Sequence, residues 1–145
     1  MPPWRETALR IFPELTPEIE RAEDPYFVWF ALREAFEAAY ESTPRDECLI
    51  RRVYEYSDWC ISAPRGETAE DDLPTIVCTC FYEHIPEQPA ARDDMPRWFR
   101  YEDFLGTAQI FRYHLLEEDF LRLQDHMRRN QDRYVPRPEP IHPQT

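Results

Sequence analysis

The sequence predicts an all-α fold: a single irregular helical bundle or a short stack of helical hairpins. Three observations carry this. The chain has 145 residues but only two glycines, Gly66 and Gly106, whereas hairpin-rich β folds draw on glycine at tight turns. It has 15 prolines, many placed where a helix would start. Apolar residues recur at helical spacing along most of its length. Hydrophobic content of 42% and aromatic content of 14% are those of a chain that buries a core rather than remaining disordered.

The elements follow in order. Residues 3–12 read as a short helix with Trp4, Ala8 and Ile11 on one face. Thr16-Pro17-Glu18 reads as an N-cap with proline at the first helical position, opening a helix that ends near Ala22. Asp24-Pro25 repeats the device for a helix over 25–41. The first half of that helix, Tyr26 to Leu32, is apolar all round and predicts complete burial. Thr43-Pro44-Arg45-Asp46 is a third such start, with Asp46 placed as in a capping box. It leads to a helix running to about Ser62, with Leu49, Val53, Tyr56 and Cys60 inward. Pro64 ends this helix and Gly66 supplies the bend.

The stretch 72–84 is rich in β-branched and aromatic residues, so a strand is conceivable. A helix is preferred, with Asp72 as N-cap and Pro74 in the first turn, because no second strand candidate exists to pair with it. Residues 86–97 read as a loop with at most a turn of helix at 89–94, and Trp98 and Phe99 fold back onto the core. Short helices follow at 101–105 and 107–114. The last helix, 116–130, turns Phe120, Leu123 and Met127 inward. One domain therefore spans 1–134, and 135–145 is a flexible Pro-rich, polyproline-type tail.

The formal net charge of −12 comes from 29 acidic and 17 basic residues, all of the latter arginine. The absence of lysine removes Schiff-base chemistry. An acidic surface repels phosphate backbones, so nucleic acid is not an expected partner, whereas a basic protein is. No apolar run reaches the roughly 20 residues of a membrane span. The start Met1-Pro2-Pro3-Trp4-Arg5-Glu6 has neither the basic nor the apolar segment of a secretory leader, so a cytoplasmic location is expected. On that basis Cys48, Cys60, Cys78 and Cys80 read as buried thiols rather than disulfides.

Candidate chemistry is sparse. Cys78-x-Cys80-x3-His84 resembles a ligand set, but neither helix nor strand places all three on one face, so no metal is assigned. The cysteines lie in apolar runs beside carboxylates, which disfavours a thiolate nucleophile. His114 and Glu118 at i, i+4, and His126 beside Asp125, lack a third orienting group. Arg97-Trp98-Phe99-Arg100-Tyr101 fits a cation–π anchor better than a base-stacking element. Phosphate loops, nucleophile elbows and dinucleotide fingerprints are absent from the sequence. No catalytic residue and no cofactor is assigned.

The remaining feature is acidic. Glu67, Glu70, Asp71 and Asp72 fall within six residues, and 65–98 holds eight acids against three arginines. Acids at a helix start complement its dipole, and solvated charge runs are common. The density here exceeds what one cap needs, and it suits docking of a basic partner with Trp98 as an aromatic anchor.

Tyr54-Glu55-Tyr56-x2-Trp59, Glu70-Asp71-Asp72-Leu73, Phe81-Tyr82-Glu83-His84-Ile85 and Met95-Pro96-Arg97-Trp98-Phe99 together resemble a family of small, all-helical, uncharacterised bacterial proteins, a domain of unknown function. The resemblance spans residues 25–125, and some of that family's members have immunity-protein character. It implies a helical fold and toxin neutralisation, and it supplies no active-site residues. The leading expectation is an acidic binding protein of immunity type that inhibits a basic protein partner. The alternatives are a small enzyme using His84 or His114 with a nearby carboxylate, and a purely structural helical module.

Overall fold

A computed structural model describes residues 1–142. Its regular structure is all helical. The α-helices are α1 (Pro3–Ile11), α2 (Thr16–Arg21), α3 (Pro25–Glu41), α4 (Glu47–Ile61), α5 (Leu73–Cys80), α6 (Pro89–Trp98), α7 (Tyr101–Gly106), α8 (Ala108–Phe111) and α9 (Glu117–Arg129). Short 3₁₀ turns occur at Pro13–Leu15, Tyr82–Glu87 and Gln131–Arg133. No strand occurs among the described residues, and 72–84 takes the helical alternative in its first part. No helix among these residues is long and apolar enough to cross a membrane.

The residues cluster into two compact units. The first comprises Met1–Phe81 with the terminal residues from Glu139 onward, and the second is Tyr82–Pro138. In the first unit α3, α4 and α5 pack on one another, and α1 and α2 lie against α3 and α1 against α4. The core is aromatic. Phe81 stacks on Trp29 at 5.0 Å and meets Phe36 and Tyr54 edge-on at 5.0 and 5.4 Å. Tyr56 bridges from Trp29 to Phe12. Its hydroxyl donates to the Trp4 carbonyl at 3.0 Å, so the one polar atom of this ring is satisfied. In the second unit Phe104 stacks on Phe111 and Phe120, and Tyr82, Phe99 and Phe111 form a second aromatic cluster.

Several local expectations are corrected by the structure. The Asp24 carboxylate caps α3 by accepting from the Tyr26 amide at 2.9 Å, as the Asp-Pro pair predicts. Thr16 is no cap, since its hydroxyl donates back to the Pro13 carbonyl at 2.6 Å. Thr43–Pro44 is a cis peptide in the connection, and α4 begins at Glu47. Asp46 is its cap, accepting from the Leu49 amide at 3.1 Å. Phe27 and Phe30, expected inside, are 49% and 53% exposed and touch each other edge-on. Within 86–97, expected as a loop with at most a turn of helix at 89–94, the chain instead enters α6, which runs on to Trp98 with Pro96 inside it. Pro89 opens that helix and the Gln88 side chain accepts from the Ala91 amide at 2.7 Å. Pro96 has no amide to give the Arg92 carbonyl four residues back, so the helix forgoes one bond of its ladder there. Cys60 and Cys80 are buried, but Cys48 is exposed and Cys78 half-buried. Burial pushes the Cys60 thiol up to about 12, so it packs as an apolar side chain.

Residues 135–142 carry no helix. They are held within each unit: the Val135 amide donates to the Arg97 carbonyl at 3.2 Å, and Arg137 to the Trp98 carbonyl at 2.8 Å. His142 stacks on Trp59 at 4.9 Å. Residues 143–145 of the expected flexible tail lie outside the described residues.

Candidate functional site

The acidic stretch of the first unit is an irregular loop between α4 and α5, closed by Asp72. One Asp72 oxygen accepts from the Gly66 amide at 3.1 Å, and the other from the Thr75 hydroxyl at 2.5 Å and from Arg65 at 2.9 Å. Asp72 precedes α5 without capping its amides. At 7% exposure it is an internal staple rather than a docking group, which corrects the expectation for this residue. Gly66 is required for close approach and not for an unusual φ: a Cβ there would overlap the backbone of Asp71 and Asp72. Glu67, Glu70 and Asp71 are exposed. Asp71 accepts from the Thr68 hydroxyl at 3.0 Å, and no ion pair to any of the three occurs among the described residues.

The Thr75 hydrogen bond, then the Gly66 amide and Arg65, hold the Asp72 carboxyl below its ordinary value. A depressed pKa contributes loop stability that is fully present above the ordinary value of about 3.9. That contribution is lost as pH falls through the lower folded value. Asp72→Asn and Gly66→Ala should each open the loop and raise tryptic cleavage after the exposed Arg65 about tenfold, with the rest of the chain intact. Mass spectrometry of timed digests measures this. Unchanged cleavage in both variants would mean that the staple does not hold the loop.

Trp98 lies in the second unit and is 5% exposed. Its indole N–H donates to Asp94 at 3.1 Å, and the Arg97 and Arg137 guanidiniums lie 4.5 and 5.7 Å from its ring. The cation–π reading of this motif holds, but a covered ring offers no anchor to a partner, which corrects that assignment. Arg100 is engaged with Asp103.

The second unit also assembles a group that the sequence did not reveal. His84 and Glu87 lie on the 3₁₀ turn Tyr82–Glu87. Three residues per turn place i and i+3 on one face, and His84 Nδ1 is 2.8 Å from Glu87 Oε2. Packing of Tyr82 and Phe99 on Phe111 brings the turn after α8 alongside. His114 stacks on His84 at 4.6 Å between ring centroids. Its Nε2 is 3.2 Å from Glu83 Oε1 and its Nδ1 is 4.0 Å from Glu87 Oε1. Glu83, not Glu118, is thus the carboxylate closest to this ring. The signal available in the sequence was His84-x2-Glu87, a spacing that gives a facing pair in a 3₁₀ turn as in a helix.

His126 is likewise not paired with Asp125, which binds Arg128 and Arg129. Those arginines hold the Asp125 carboxyl below its ordinary value. His126 Nε2 sits 2.7 Å from the Asp93 carbonyl, at the edge of a cleft of about 240 Å³ between α6 and α9. Arg92, Arg122 and Leu123 also line that cleft, and neither His84 nor His114 does.

No protein-family profile, curated protein or solved structure matches the chain.

Proposed function

We propose that the protein is a non-enzymatic acidic binding module that captures a basic protein, in the manner of an immunity-type inhibitor. The observation that supports it is the stapled loop: Asp72 fixes the backbone, while Glu67, Glu70 and Asp71 stand exposed without cationic partners among the described residues. Carboxylates held in place lose little freedom when a lysine or arginine meets them. The net charge of −12 draws such a partner in and accelerates encounter. Asp72 acts behind this surface rather than on it.

Cross-linking mass spectrometry on cells expressing the tagged chain tests the reading. A basic partner should cross-link next to 67–71. With the purified partner, Glu67→Arg/Glu70→Arg/Asp71→Arg should slow association tenfold or more, as should a rise from low to high salt. Partners that are not basic, or association indifferent to both changes, would overturn it.

A small enzyme is a second reading, favoured by the 2.8 Å His84–Glu87 and 3.2 Å His114–Glu83 pairs. Both lie within general acid–base reach. The α6–α9 cleft does not contain them.

A further inference from the structure

We infer that His84, His114 and Glu87 form a binding site for a divalent transition cation, zinc above all, with Glu83 positioning His114. One ligand atom from each of the three lies within 4.8 Å of the others. In a tetrahedral zinc shell, with N and O ligands at about 2.0–2.2 Å, neighbouring donors sit roughly 3.4 Å apart. Glu87 Oε2 lies 2.8 Å from His84 Nδ1 and Glu87 Oε1 lies 4.0 Å from His114 Nδ1, and these two contacts bracket that spacing. The two rings are stacked at 23°, so a side-chain torsion must also turn one imidazole for both lone pairs to converge on one ion. These side chains have room for it, at 22%, 45% and 33% exposure for His84, Glu87 and His114. The same exposure gives an ion a way in.

The fourth residue strengthens the assignment. His114 turns Nδ1 toward Glu87, and Nε2 meets Glu83, whose side chain is only 17% exposed. Carboxylate–imidazole–metal is the arrangement in which a second carboxylate accepts from the far ring nitrogen and fixes the tautomer that ligates. With both imidazoles neutral the four side chains carry two negative charges, which one divalent cation balances. Two imidazoles with one carboxylate suit zinc and its first-row neighbours rather than the oxygen-seeking magnesium or calcium. Three protein ligands leave one position for water or for a group from a partner.

The test is titration of metal-stripped full-length chain with Zn²⁺ by calorimetry and with Co²⁺ by visible absorption. Saturable binding of one equivalent is expected, with d–d bands and no thiolate-to-cobalt charge-transfer band. His84→Ala and His114→Ala should each weaken binding about 100-fold or more. Glu83→Gln should keep the stoichiometry and weaken binding about 10- to 100-fold. Cys48→Ser should leave binding unchanged. His114 and Cys48 are exposed and His84 and Glu83 are only partly covered, and thermal unfolding without metal should be unaltered, which separates lost ligation from lost folding. Three results would overturn the site: no saturable binding of Zn²⁺, binding retained in both histidine variants, or a thiolate band. None of them bears on the acidic loop of the first unit.

Discussion

Phe81→Ala should lower unfolding stability by about 3–5 kcal/mol, the range for removing a fully buried ring from a core. Phe81 is 1% exposed. It follows the last turn of α5 and touches Trp29 and Phe36 on α3 and Tyr54 on α4, so two helices lose a common neighbour at once. Stacked and edge-on ring pairs add about 0.5–1.5 kcal/mol each beyond their area. The rings left behind belong to two different helices and cannot collapse together into the void, which puts the loss in the upper part of the range. Urea unfolding followed by tryptophan fluorescence reads the effect. Phe81→Leu should recover most of it. A loss below about 1 kcal/mol for the alanine variant would mean that the cavity collapses and that this cluster is not the centre of the unit.

Asp94→Ala should cost about 2–3 kcal/mol in the second unit. Asp94 is 4% exposed, and its carboxylate takes Arg97 at 2.6 Å, the Trp98 indole N–H at 3.1 Å and Arg133 at 3.2 Å. The last contact ties α6 to the residues after α9. Removing the acid takes an acceptor from a buried indole N–H and from two guanidiniums, of which Arg133 keeps the Asp93 carbonyl at 3.2 Å. The estimate sits below that for a fully buried ion pair because Arg97 and Arg133 remain 28% and 36% exposed and water can replace part of what they lose. Asn keeps an acceptor for Trp98, so Asp94→Asn should cost about 1 kcal/mol. Denaturant melts of the two variants measure the difference. Equal stability of wild type and Asp94→Ala would show that the carboxylate is replaceable by solvent.

Much of the helical outline was readable from local rules. The bounds of α3 follow from Asp24-Pro25 because a cap is an interaction within two or three residues, here the 2.9 Å contact to Tyr26. The inward face of α9 was readable because Phe120, Leu123 and Met127 recur at helical spacing, and all three are buried. Where local signals competed, the outcome turned on a single contact. Gln88 caps α6 with its side chain, so residues that looked like a proline-broken loop wind into a helix around Pro96. The Thr43-Pro44 device, equally plausible on paper, yielded to Asp46.

The candidate sites show the same division more sharply. The density of carboxylates at 67–72 is a property of the chain, but which of them face solvent is not. Asp72 turned inward because the Gly66 amide and Thr75 hydroxyl were there to receive it. Trp98 was noticed for its chemistry and placed wrongly. Its burial depends on Asp94, four residues away, and on Arg137, 39 residues along.

By itself, then, the sequence determined the helical class, the position of most helices and the negative charge, because these rest on composition, period and contacts a few residues apart. Only the tertiary structure decided which carboxylates remain available and that His84, Glu87, Glu83 and His114 meet. The pairing of His114 with Glu83 spans 31 positions of chain. It exists because Tyr82, Phe99 and Phe111 pack together, and side-chain packing between distant elements leaves no periodic trace in a sequence.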